Sequence, residues 1–121
     1  MTQAELREPT FLILSALADG PKHGYAIISD AAAQSGGRVR LQPGTLYSAI
    51  DRLVEEGLVE AAGEEVVEGR RRRYVALTES GSAVLAEDAE RQAENARRAL
   101  KRLRDRAAAT ARATTSRTAV A

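Results

Sequence analysis

The one concentration of chemically committed side chains in this 121-residue sequence is Arg70-Arg71-Arg72-Arg73, four consecutive guanidinium groups ahead of Tyr74-Val75-Ala76-Leu77. A guanidinium stays charged at any ordinary pH and forks onto phosphate or carboxylate oxygens. A nucleic-acid contact, a localisation signal and a solvated patch neutralised by nearby acids all fit such a run. Little else in the chain does chemistry. His23 is the sole histidine and there is no cysteine, which removes disulfides, thiol nucleophiles and thiolate metal sites together. No serine pairs with a base as nucleophilic catalysis requires, and no Gly-rich stretch has phosphate-loop spacing. Glu64 and Glu65 are neighbours on an extended segment, so they point to opposite faces and cannot act as a carboxylate pair. Neither catalysis nor a metal nor a cofactor is expected.

Net charge is only +1, so its distribution matters more than its sum. Glu55, Glu56, Glu60, Glu64, Glu65 and Glu68 precede the arginine run, and Glu87, Asp88, Glu90 and Glu94 precede a second basic stretch, Arg97 to Arg106. No apolar run reaches the roughly 18–20 residues of a membrane span. The start, MTQAELREPT, lacks the basic-then-apolar order of a secretory signal. A soluble cytoplasmic protein with no membrane partner is expected.

The elements that must position these residues follow from punctuation and periodicity. Residues 9–18 open on Pro9, are nearly all apolar, and stop at Asp19-Gly20-Pro21, which reads as a helix buried on more than one side. Residues 24–34 form a second helix, with Tyr25, Ile28, Ala31 and Ala32 on one stripe and Gly36-Gly37 beyond it. Residues 43–56 form a third, started by Pro43 and ended by Gly57. Its apolar face is Leu46, Ala49, Ile50, Leu53 and Val54; Gly44, Ser48, Asp51, Arg52 and Glu55 lie opposite, flanked by Thr45 and Tyr47. Residues 58–78 read as a hairpin turning at Glu68-Gly69. That register sets Arg72 opposite Glu65 and Arg73 opposite Glu64 and leaves Arg70 and Arg71, nearer the tip, freest to meet phosphate.

From residue 79 to about 109 one long helix is expected, capped by Thr78. Ala89, Ala93, Ala96, Leu100, Leu103 and Ala107 recur at alternating spacings of four and three, a heptad seam suited to close helix pairing. Acids cluster in its first half and bases in its last, as the helix dipole favours. An antiparallel partner would set one subunit's acidic half against the other's basic half. Phe11 and Leu12 of the first helix join the seam as dimer-contact candidates; direct pairing of the final helices and crossing through the first helix both stay open. Residues 110–121 read as a disordered tail.

Three short helices, a hairpin and a long last helix are the order of a winged helix-turn-helix (residues 1–78) with an appended dimerisation helix (79–109): mainly α with a small β-hairpin. The third helix presents a polar face that a DNA major groove admits. Three stretches, KHGYAII, PGTLYSAIDRLVEEGLVE and GRRRRYVALTESG, resemble the PadR family of bacterial transcriptional regulators, over about Glu8 to Gly81. In that family His-Gly-Tyr opens the second helix, Pro-Gly-Thr-Leu-Tyr opens the recognition helix, and a basic wing leads to Leu-Thr-x-x-Gly. The chain is similar to the subgroup with a single final helix rather than a separate C-terminal domain. The resemblance implies a homodimeric repressor on a pseudo-palindromic operator, often released by a small molecule whose identity the sequence does not carry. Where the family's wing usually reads Tyr-Tyr-Arg-Leu-Thr, this chain has Tyr74-Val75-Ala76-Leu77-Thr78, and Gln42 stands where a better helix cap precedes the proline.

The expected partner is therefore double-stranded DNA. Gly44, Thr45, Tyr47, Ser48 and Arg52 are the recognition-helix candidates: hydroxyls bond phosphates or bases, Arg forks onto guanine, and Gly admits close approach. Alone, Tyr47 reads equally as a packing aromatic and Thr45 as a helix-start residue. His23 and Tyr25, where the second helix begins, are phosphate candidates, and Arg70, Arg71, Arg72 and Arg73 form the wing. The rival reading is a winged-helix interaction module without DNA binding, suggested by the acid-rich strand before the wing.

Overall fold

The computed structural model describes residues 5–120, with side chains described as far as residue 115. The elements are α1 (Glu8–Ala16), β1 (Lys22–His23), α2 (Gly24–Gln34), α3 (Pro43–Glu55), β2 (Val59–Val67), β3 (Arg70–Leu77) and α4 (Glu79–Val120). The chain divides into two units, one ending at Asp88 and one beginning at Ala89.

The first unit is mainly helical: α2 packs against both α1 and α3, and the small sheet meets α2 through β1 and β3 and α3 through β2. Leu12, Ile13 and Leu14 are consecutive and all buried, so α1 is enclosed on more than one side. Ile27 and Ala31 of α2, Leu46, Ile50 and Leu53 of α3, and Val59 of β2 complete the core. Each fully buried Leu or Ile contributes roughly 1.5–3 kcal/mol over an exposed one. The stripe of α2 is rotated from the expected one: Ile27 faces the core and Tyr25 is 64% exposed. Leu12, a dimer-contact candidate, is 6% exposed within the chain's own core. Phe11 is half-buried and packs against that same core. Val54, placed on the apolar face by its spacing, is 45% exposed, because that face narrows to Leu46, Ile50 and Leu53.

Local rules explain the boundaries. Pro43 occupies the first turn of α3, and Gln42 makes no side-chain cap. At the other end Gly57 adopts φ 76°, its N–H donates to Val54 O (3.0 Å) and that of Leu58 to Leu53 O (2.9 Å). This is the paired closure that a glycine beyond a helix end permits. Glu68 and Gly69 both have positive φ, 51° and 77°, the twist a two-residue hairpin turn needs. Thr78 caps α4: its hydroxyl accepts from Gly81 N–H (3.0 Å) and donates to Gly57 O (2.6 Å). A β-carbon on Gly81 would overlap Leu58 O, so α4 starts closely against the link from α3 to β2.

The sheet has the order β1-β3-β2, antiparallel throughout. The expected hairpin register is the observed one, Glu65 opposite Arg72 and Glu64 opposite Arg73, with a bulge between Ala61 and Glu64. The third strand, β1, was not expected. Its two residues pair Lys22 with Val75 and His23 with Tyr74, which makes β3 the central strand and ties the wing to the start of α2.

The second unit is the helix from Ala89 onward. It stays helical through Val120, not disordered from Thr110 as expected; Ala121 lies outside the described residues. Alanine is the strongest helix former, and Ala107, Ala108, Ala109, Ala111 and Ala113 carry the helix across that stretch. Every side chain from residue 92 to 115 is exposed. Among the described residues no helix is long and apolar enough to cross a membrane.

Candidate nucleic-acid interface

The wing, the start of α2 and one flank of α3 enclose a crevice of about 420 Å³, lined by His23, Gly24, Tyr25, Tyr47, Asp51 and Arg70, Arg71, Arg72 and Arg73. The sequence motifs thus converge: His-Gly-Tyr, the third-helix tyrosine and all four arginines face one space. Tyr47 is seated by Gly24, whose missing side chain leaves room for the Tyr47 hydroxyl 2.5 Å from where a β-carbon would stand. The aromatic nonetheless stays 49% exposed, so packing against Gly24 leaves half of the side chain open to solvent.

The α3 candidates divide between two faces. Tyr47 and Asp51 line the wing-side crevice. Gly44, Thr45, Ser48 and Arg52 line a separate depression beside Arg7 and Thr10 at the α1 end. Arg52 Nη2 donates to Thr10 Oγ1 at 3.2 Å, so α1 orients this guanidinium, a tie that helix periodicity does not reveal. Gly44, Thr45, Ser48 and Asp51 are all exposed, and they form the outermost strip of the helix between the two hollows. Asp51 places a carboxylate in the crevice.

The wing's ion pairs differ from the expected ones. Glu65 does not hold Arg72; it accepts from the Tyr74 hydroxyl at 2.7 Å. That bond, with desolvation behind it, raises the Tyr74 phenol above its ordinary range. Glu64 stands opposite Arg73, yet its carboxylate pairs diagonally with Arg71 Nε at 3.8 Å. Diagonal neighbours on one face remain within reach of long side chains. Arg72 Nη1 lies 3.5 Å from His23 Nε2. Among the described residues Arg70, Arg72 and Arg73 have no carboxylate within ion-pair distance, so Arg70 and Arg73, not Arg70 and Arg71, are the exposed unpaired pair.

His23 joins the two halves of the site. Its Nδ1 accepts from Ala26 N–H at 3.4 Å and caps α2, and its ring meets Tyr74 edge-on with centroids 5.4 Å apart. Charge here is local. The unit through Asp88 carries nine basic against fourteen acidic residues, net −5, while the unit from Ala89 carries nine against three, net +6. The arginines of β3 therefore make a basic patch on an otherwise acidic unit.

The model of the transcriptional regulator PadR-like family matches residues 13–87. The chain belongs to the PadR-like family of transcriptional regulators. The match spans the wing-side crevice, the whole sheet and the opening turns of α4, and leaves out Arg7, Pro9 and Thr10 of the second depression. Among curated relatives, the transcriptional regulator Rv3488 of Mycobacterium tuberculosis is 40% identical over 88 residues, which are 73% of this chain and 78% of that protein. A 37.1 kDa protein of transposon TN4556 from Streptomyces fradiae is 45% identical over 78 residues. That alignment takes in 64% of this PadR-like chain but spans only 21% of the transposon protein's length. Among solved structures, Bacillus subtilis PadR in complex with operator DNA superposes with a TM-score of 0.59 at 23% identity, over 67% of this chain and 46% of that one. At that identity the likeness is one of fold.

Proposed function

We propose that this PadR-like regulator binds double-stranded DNA through α3 and the wing, as a cytoplasmic homodimer that represses from a pseudo-palindromic operator. The observation that carries DNA binding is the convergence of Arg70, Arg71, Arg72 and Arg73 with His23, Tyr25 and Tyr47 on one crevice beside the exposed N-terminal half of α3. Cationic and hydroxyl donors that flank an exposed helix are what phosphate positioning requires, and the helix's own strip of Gly44, Thr45 and Ser48 is free to approach bases. That a fold neighbour was solved on operator DNA supports the same reading.

Dimer formation rests on α4. From residue 92 to 115 α4 has no packed face, whereas most helical stability in proteins comes from packing of an amphipathic face, and its seam leaves Leu100 and Leu103 more than half exposed. Pairing of seams buries those leucines between alanines. Antiparallel pairing also brings Glu87, Asp88, Glu90 and Glu94 of one copy near the basic stretch from Arg97 of the other. Repression, and release by a small-molecule effector, are carried by the family resemblance of the motifs.

A gel shift of duplex DNA containing the chain's own upstream region, run at low salt, tests the reading; a retarded species that dissolves as salt rises is expected. The rival, a winged-helix interaction module without DNA binding, draws on the net −5 of the first unit. No retardation at low salt favours that rival.

A further inference from the structure

His23 is bounded by two donors and has one acceptor to offer. The Ala26 N–H points at Nδ1 from 3.4 Å, and Arg72 Nη1 stands 3.5 Å from Nε2. A neutral imidazole carries a proton on one nitrogen and a lone pair on the other. With the lone pair on Nδ1, where it caps α2, Nε2–H faces a guanidinium that only donates. The Arg72 guanidinium is itself without a carboxylate among the described residues, because Tyr74 occupies the Glu65 carboxylate that the strand register sets opposite it. Two N–H donors from different elements thereby stand 3.5 Å apart in the crevice with no carboxylate between them, the Arg72 guanidinium having only the neutral Tyr74 hydroxyl beside it.

We propose that His23 Nε2–H and the Arg72 guanidinium form a two-donor seat for a single DNA backbone phosphate, with Tyr74 and Glu65 as positioning residues that keep Arg72 available. The proposal rests on the DNA-binding reading above and adds a ligand atom, a tautomer and a division of labour to it. A phosphodiester oxygen between the two groups accepts from both and removes the donor-donor conflict. The edge-on contact of Tyr74 with the His23 ring fixes the ring's plane, and its hydroxyl removes Glu65 from competition.

The test uses the full chain and a duplex that it retards. His23→Asn keeps an acceptor at the Nδ1 position and loses the Nε2 donor. It is expected to melt at the parent's temperature and to bind about tenfold more weakly. The slope of log affinity against log salt should be unchanged, because no charge is lost. Arg72→Gln lowers that slope by about one. The double variant loses less than the product of the two single losses, because both donors serve one phosphate. In the unmodified protein the only histidine gives unambiguous imidazole ¹⁵N signals. They should report the Nε2–H tautomer, with Nε2 moving on addition of duplex and not on addition of inorganic phosphate at equal phosphate concentration. Parent-like binding by His23→Asn, independent losses in the double variant, or an Nδ1–H tautomer overturns the seat alone. Movement with inorganic phosphate to the same degree overturns its assignment to the DNA backbone. Failure of the unmodified protein to retard any duplex at low salt overturns the DNA-binding reading and the seat together.

Discussion

The Tyr47 hydroxyl lies 2.5 Å from the point where a β-carbon on Gly24 would stand. The glycine of His-Gly-Tyr and the tyrosine of Pro-Gly-Thr-Leu-Tyr are thus one packing unit across α2 and α3. Gly24→Ala is expected to displace Tyr47, lower DNA affinity several-fold and cost about 1 kcal/mol in stability by overpacking. With Tyr47→Ala in place the β-carbon has room, and alanine's helix preference, worth up to about 1 kcal/mol over glycine, should make the same change neutral or stabilising. Chemical denaturation of the four proteins of this cycle reads the reversal of sign.

The wing's arginines are unequal, and their order follows from the acids around them. Arg73→Ala and Arg70→Ala should each reduce the slope of log affinity against log salt by nearly one, the release expected for each phosphate contact. Arg71→Ala should change it less, since Glu64 already pairs with Arg71. Glu64→Gln should raise affinity for all duplexes alike. Fluorescence titrations across a salt series compare the four variants.

Glu8 forms a two-pronged bond to Arg38, with both oxygens 2.6 Å from guanidinium nitrogens, and this bond holds the carboxyl below its ordinary value. A carboxyl depressed in the folded state adds stability above its unfolded pKa and loses it as pH falls through the folded one. Glu8→Gln should leave the melting temperature at pH 7 slightly lowered and make the decline below about pH 4.5 shallower. High salt should shrink the difference, since the pair is exposed. Thermal melts from pH 2 to 7 follow it.

Leu100 and Leu103, more than half exposed on the α4 seam, carry the dimer proposal. Replacing both with Glu should halve the mass seen by sedimentation equilibrium while the winged unit melts unchanged. The loss of one half-site's worth of contacts should weaken operator binding by at least tenfold.

Much of this was legible in the sequence where local chemistry decides. Pro43 and Gly57 bound α3, and Glu68-Gly69 turns the hairpin in the register that period-two alternation implies. What was not legible depends on residues distant in sequence. A two-residue strand such as β1 has no periodicity, and it exists because β3 offers an edge at Tyr74 and Val75. The Arg52 tie to Thr10 joins residues 42 positions apart. Strand register placed Glu65 opposite Arg72 but could not show that Tyr74, nine positions from Glu65, would claim its carboxylate. The end of α4 was misjudged for another reason: threonines and a polar composition outweighed a run of alanines whose backbone preference is helical.

Selection of bound duplexes from a random pool tests the central claim most directly. The account predicts enrichment of an inverted repeat whose half-site centres lie about one helical turn, roughly 10–10.5 base pairs, or a multiple of it apart. Affinity for that duplex should fall steeply with salt. Recovery of no sequence at low salt, or of a single asymmetric site, would contradict it.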